Sequence, residues 1–275
     1  MLIPRVIPSL LLSENRLVKT ERFSKPVYVG DPVNAIRIFN EKEVDELVLL
    51  DIDATRRRRP PNLRLLAEIA SECFMPLAYG GGLTTTAQMR EVLSLGMEKV
   101  VLNSIATREP EVVRSAADQF GSSSVVVSMD VRRRRLLGGY RVYSNGGERD
   151  TGVEPVAYAV RMQELGAGEL LLTSVDRDGT RTGFDLDLIR RVSTALDIPV
   201  VASGGAASVP DLLRAIEAGA SAVAAGSLFV FQGPHRAVLI TFPPRRELEA
   251  MFAARLPAPG VGLATASGAA VAGLE

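Results

Sequence analysis

A closed (β/α)8 TIM barrel built from two repeated half-barrels is the fold class the sequence predicts, on three observations. Eight short apolar runs recur along the chain, amphipathic stretches separate them, and the two halves repeat each other in one register. The runs are Val6–Leu12, Glu46–Ile52, Met75–Ala78, Lys99–Leu102, Ser123–Met129, Glu169–Ser174, Ile198–Ala202 and Ala222–Ala225. Several are rich in Val and Leu without alternation, the pattern of strands buried on both faces.

Helix signals fill the gaps. Asp31-Pro32 and Glu154-Pro155 each set a capping acid before a proline at the first helical position. Pro61-Asn62, Thr84–Thr86, Glu109-Pro110, Asp185 and Ser208-Val209-Pro210 mark further starts. The repeat is read from landmarks 123 residues apart. Asp31-Pro32-Val33 returns as Glu154-Pro155-Val156, Gly81-Gly82 as Gly204-Gly205, and Ser104 as Ser227. The first strand breaks the register, because Leu11 and Asp130 lie 119 apart. The loop after the fifth strand is therefore about four residues longer than its counterpart, and its segment from Arg132 to Ser144 reads as a small hairpin. The barrel is assigned to residues 1–255. Residues 256–275 are rich in Ala, Gly and Pro, and are expected to form a flexible C-terminal tail.

Composition narrows the chemistry. Of 275 residues, 47% are hydrophobic, and 32 basic side chains balance 32 acidic ones, which points to neither nucleic acid nor a membrane surface. Cys73 is the single cysteine, so an internal disulfide is excluded. His235 is the single histidine, which disfavours a histidine-based metal site or a Ser/His/Asp triad. No metal and no cofactor are expected. Met1–Arg5 is too short and too interrupted for a signal peptide, and no run approaches the roughly 18 apolar residues of a membrane span. A soluble cytoplasmic protein is expected.

Barrels of this kind build their sites at the C-terminal ends of the strands. There the sequence offers Leu11, Asp51 with Asp53, Gly80-Gly81-Gly82, Asn103-Ser104, Asp130, Asp178-Gly179-Thr180, Gly204-Gly205 and Gly226-Ser227. Backbone N–H groups can approach a phosphate closely where no Cβ intervenes, and a helix N-terminus adds a positive dipole end. Gly82 with Asn103-Ser104 forms one candidate phosphate site, and Gly205 with Gly226-Ser227 the other. Two such sites suggest a ligand phosphorylated at both ends. Asp130 leaves an apolar strand and reads equally as an acid–base group or as a structural carboxylate beside Arg132–Arg135. Asp178 either orients a ligand hydroxyl or caps a helix. Arg5, Glu46, Lys99 and Glu169 start four strands, and on position alone read as a ring of ion pairs closing the floor. Arg56–Arg59 reads as a solvated charge run, or else as a contact for phosphate or a partner.

Together these residues resemble the cyclase subunit of imidazole glycerol phosphate synthase, known as HisF, over roughly residues 3–232. The most specific segments are Gly30-Asp31-Pro32, Asp45-Glu46-Leu47, Leu50-Asp51-Ile52, Tyr79–Gly82, Gly166–Glu169, Leu171–Thr180 and Ala202–Ala206. The resemblance implies a barrel that receives ammonia from a HisH-like glutaminase and uses it on a bis-phosphorylated ribulosyl intermediate. It makes Arg5, Glu46, Lys99 and Glu169 the gate of an ammonia channel, Asp130 catalytic, and Lys19 a ligand-binding residue. One departure is sharp. The family carries a second catalytic aspartate on the first strand, where this chain has Leu11. Phe231–Val238 departs as well. The combination is similar to a second group of HisF-like proteins, which work with a glutaminase and a separate amidotransferase on sugars of surface polysaccharides. The first expectation is therefore an ammonia-passing subunit for sugar amidation. The alternatives are a working histidine-pathway cyclase using Asp130 with Asp178 or Lys19, and a phosphoribosyl isomerase or non-catalytic ligand-binding barrel.

Overall fold

The computed structural model describes residues 3–134 and 138–254; the tail expected over 256–275 lies outside the described residues. Eight parallel strands close on themselves: β1 (Arg5–Ser13), β2 (Leu47–Asp51), β3 (Leu77–Gly80), β4 (Lys99–Leu102), β5 (Val125–Arg133), β6 (Glu169–Ser174), β7 (Val200–Ser203) and β8 (Ala222–Ala225). The seam pairs β1 with β8, with Arg5 opposite Ala222 and Val6 opposite Val223. β5 and β6 form the longest pairing, from Glu169–Val126 to Ser174–Val131. The outer helices are α1 (Pro32–Glu41), α2 (Leu63–Glu72), α3 (Thr86–Ser94), α4 (Glu111–Phe120), α5 (Pro155–Glu164), α6 (Leu186–Ser193), α7 (Val209–Glu217) and α8 (Arg245–Ala253). Two short helices, Ser104–Arg108 and Ser227–Val230, follow β4 and β8.

Burial on both faces explains the unbroken apolar runs. One face meets the helices in a large core that includes Phe39, Leu66, Ile69, Met89, Val127 and Phe229. The other face fills the lumen with Ile7, Val48, Ala78, Val101, Val126, Leu171 and Val201. Each fully buried Ile, Leu or Phe is worth roughly 1.5–3 kcal/mol, so both faces favour closure. Strand starts differ from expectation by about two residues at β3, β5 and β7. Ser122–Ser124, for instance, forms a single 3-10 turn before β5.

The repeat continues into the helix caps. Asp31 accepts from the N–H of Asn34 at 3.0 Å, and Glu154 from that of Ala157 at 3.0 Å. Asn62 and Asp185 cap α2 and α6 in the same way. Gln88 reaches back to the N–H of Thr85 at 3.3 Å, and Asp211 to that of Ser208 at 3.0 Å. All three pairs keep the 123-residue register.

Each half carries a hairpin after its first strand. Tyr140–Ser144 pairs antiparallel with the end of β5, with Tyr143 opposite Asp130, as expected. Arg16–Glu21 and Ser24–Gly30 form an unexpected counterpart on β1. Its turns use non-glycine residues with positive φ, namely Glu14 and Asn15, then Arg22 and Phe23, so the usual Asn-Gly signal is absent.

Gly205 has φ +111°, and a Cβ there would lie 2.2 Å from the carbonyl oxygen of Gly183. Gly205→Ala is expected to destabilise the fold by about 2–4 kcal/mol in urea unfolding, through strain and backbone clash. Gly233→Ala, with φ +68° and open space around its Cβ position, is expected to cost only about 1 kcal/mol.

Candidate active site at the barrel rim

The strand ends and the loops above them enclose one cavity. Lys19, Asp51, Gly82, Asn103, Ser104, Asp130, Asp178, Gly179, Gly205, Gly226 and Ser227 all line it. Thr180 does not; its Oγ1 donates to the carbonyl of Arg177 at 2.7 Å and meets Thr182 Oγ1 at 2.8 Å, within its own loop.

Asp130 faces the cavity from β5 and is 6% exposed. Asn103 Nδ2 donates to its Oδ2 at 2.9 Å and to the carbonyl of Ser128 at 3.0 Å. Loss of water pushes the Asp130 carboxyl up to about 7; the Asn103 hydrogen bond opposes that rise, and the nearby Asp178 charge adds to it. A carboxyl poised there can take or give a proton near neutrality. Leu11 lines the same cavity from β1, at the position matching Asp130 in the repeat. An alkyl side chain there offers no proton and no hydrogen bond.

Lys19 reaches the site from the first hairpin. Its Nζ lies 3.0 and 3.1 Å from the two carboxylate oxygens of Asp178, and both residues are buried. Two glycines make room for this pair. A Cβ on Gly226 would sit 3.0 Å from Lys19 Cε, and one on Gly179 would sit 2.2 Å from the carbonyl oxygen of Thr20. Asp51 accepts from the N–H groups of Asp53 and Ala54, each at 3.0 Å, and lies 3.6 Å from Arg59. Burial raises its pKa, against those hydrogen bonds.

Arg56–Arg59 is more than a solvated run. Arg56 bonds the carbonyl of Gly146 and pairs with Glu148, Arg57 pairs with Glu14, and Arg59 lies beside Asp51. Sequence reasoning missed Glu14, Gly146 and Glu148 because they sit on hairpin turns distant in the chain. Cys73 lies on the loop after α2, where its Sγ donates to the carbonyl of Met75 at 3.3 Å, and His235 is exposed. Among the described residues no cluster of three metal-ligating side chains occurs, and no helix is long and apolar enough to cross a membrane.

The opposite end is closed by charge. Glu46 and Glu169 are 3% and 6% exposed. Lys99 Nζ bridges them at 2.8 and 2.9 Å, and Arg5 bridges them from the other side with one guanidinium nitrogen to each. Cation and anion alternate around this floor, and the apolar lumen lies above it.

A (β/α)8 barrel with an ionic floor, an apolar lumen and a rim of carboxylates and glycine turns defines the class of protein. The family model described as histidine biosynthesis protein matches residues 5–235, and the chain belongs to that family. It is HisF-like within it. A Pseudomonas aeruginosa protein provisionally named imidazole glycerol phosphate synthase subunit hisF2 is 52% identical over 246 residues, 89% of this chain and 98% of the relative. A Leptospira interrogans protein provisionally named imidazole glycerol phosphate synthase subunit HisF is 46% identical, over 92% of this chain and all of the relative. The imidazole glycerol phosphate synthase subunit HisF of Alkaliphilus metalliredigens is 45% identical, over 83% of this chain and 91% of its own.

Two measurements test this geometry. Lys99→Met leaves two buried carboxylates sharing one cation, and is expected to cost about 3–5 kcal/mol in urea unfolding at neutral pH. Asp130 has a folded pKa above its unfolded one, so the fold binds its proton more tightly. Its burial costs nothing below about pH 4, and the cost grows until pH passes about 7. Asp130→Asn is therefore expected to match the wild type in stability near pH 4 and to exceed it near pH 8. Equal stabilities at both pH values would refute the buried carboxylate.

Proposed function

We propose that this chain is the ammonia-receiving barrel of a cytoplasmic glutamine amidotransferase complex. A HisH-like glutaminase docks against the floor and releases ammonia. The ring formed by Arg5, Glu46, Lys99 and Glu169 parts, and the neutral molecule crosses the apolar lumen to the rim. A phosphorylated ligand lies there between the two glycine turns, with Asn103 and Asp130 beside it. A separate sugar amidotransferase takes the ammonia onward to a sugar of a surface polysaccharide; the support for that acceptor is the resemblance set out above.

The observation that carries this reading is Leu11 opposite an intact Asp130. The ring and lumen needed for ammonia are retained, while one half of the acid–base pair needed for cyclisation is a hydrocarbon. Loss of one such group typically costs 10²–10⁴-fold in rate. The unpartnered Oγ of buried Ser227 supports the phosphate reading, since a buried hydroxyl without a hydrogen bond is costly unless a ligand engages it.

A second reading, a working cyclase, draws on Asp130 itself. A carboxyl near 7 beside the Lys19–Asp178 pair has the range to act first as acid and then as base.

The purified protein, given ammonium and the bis-phosphorylated ribulosyl intermediate, is expected to form no cyclised product above background. Added to a partner glutaminase, it is expected to raise glutamine hydrolysis. Leu11→Asp is expected to raise cyclisation by about 100-fold or more. Ammonia-dependent turnover by the unmodified protein at an ordinary enzymatic rate would establish the second reading instead.

A further inference from the structure

We infer that the two phosphate turns are unequal at rest. The buried Ser227 hydroxyl is unengaged, whereas the Ser104 hydroxyl is taken up by a latch centred on Arg56, which makes Arg56 a determinant of which ligands bind. A phosphate that reaches Ser227 breaks no hydrogen bond of its hydroxyl, and one that reaches Ser104 must first break the latch. This rests on the reading of both glycine turns as phosphate sites.

Ser104 and Ser227 occupy the same place in the two halves, each opening a short helix after its strand. Their hydroxyls differ. Ser227 Oγ is buried, lines the cavity and has no hydrogen-bond partner. Lys19 passes close by, over Gly226, and supplies a cation to that end. Ser104 Oγ is already engaged: it donates to Asn103 Oδ1 at 3.3 Å and accepts the N–H of Asn145 at 3.0 Å. A phosphate oxygen arriving there needs a donor, and the single hydroxyl proton is spent.

Asn145 is held by the turn it begins. Arg56 Nη2 donates to the carbonyl of Gly146 at 3.1 Å and lies 3.2 Å from Glu148 Oε1. Asn145 Nδ2 also donates to Glu148 Oε2 at 3.1 Å, which closes the loop. Two glycines permit the fit. A Cβ on Gly146 would lie 2.8–3.1 Å from the Arg56 guanidinium, and one on Gly147 would lie 2.9 Å from the Phe23 ring of the first hairpin. The turn thus joins three loops over the Ser104 end, whereas at the Ser227 end the first hairpin is tied to Asp178 through Lys19 and leaves the Ser227 hydroxyl without a partner. In this arrangement Glu148 offsets part of the charge of Arg56, which also lines the cavity.

Calorimetry with inorganic phosphate tests the asymmetry. The wild type is expected to show one strong site, lost in Ser227→Ala and kept in Ser104→Ala. The weak binding left in Ser227→Ala is expected to tighten about fivefold when Arg56→Ala is added, because two partly exposed contacts no longer hold the turn. Glu148→Gln is expected to act in the same direction. If Arg56 instead grips the phosphate directly, its removal weakens the second site, and the latch is wrong. Two equal sites in the wild type would also overturn it. If the wild type binds no phosphate, the reading of the turns fails, and this inference with it.

Discussion

Four side chains at the base of the barrel govern what the rest of the molecule can do. Taking a carboxylate out of water is expensive, and two together would repel each other as well. Glu46 and Glu169 are tolerated because Lys99 and Arg5 bind both of them at once. The strands that carry these residues are thereby held in one register at their starts. The lumen above stays apolar, and the polar groups are gathered at the far end, where they face the cavity. The apolar lumen above this base opposes ions, since an ion would have to shed water into hydrocarbon.

The rim shows the same plan executed twice with different results. Inward-facing serines recur as Ser9 and Ser128, glycine turns recur at Gly82 and Gly205, and a short helix follows the last strand of each half. The symmetry fails where chemistry is decided. Leu11 stands where the second half has Asp130 and can exchange no proton, while Asp130 is shielded from water and held by Asn103. The hairpins differ too: one sends Lys19 down to Asp178, and the other folds its glycine turn over Ser104.

Much of this was legible in the sequence, for physical reasons. Unbroken Val/Leu runs announce strands buried on both faces, and the capping pairs Asp31-Pro32 and Glu154-Pro155 announce helix starts. The rim residues followed from strand ends, with Thr180 turned into its own loop instead. The first hairpin was missed because Glu14, Asn15, Arg22 and Phe23 adopt positive φ without the glycine that usually signals it. The partners of Arg56–Arg59 were hidden because Glu14 and Glu148 reach them only through the fold.

The repeated caps and glycine turns make each half a nearly autonomous module with an unfinished surface. Separated, a half would present its inner strip of Ile7, Val48, Ala78 and Val101 to water, with an open strand edge on either side. Such a fragment has one economical resting state, a twofold assembly in which a second copy supplies the missing wall. The covalent link between the halves therefore does more than connect them. It frees each from having to match itself, so one wall can carry a carboxylate, Asp130, where the other carries a leucine, Leu11.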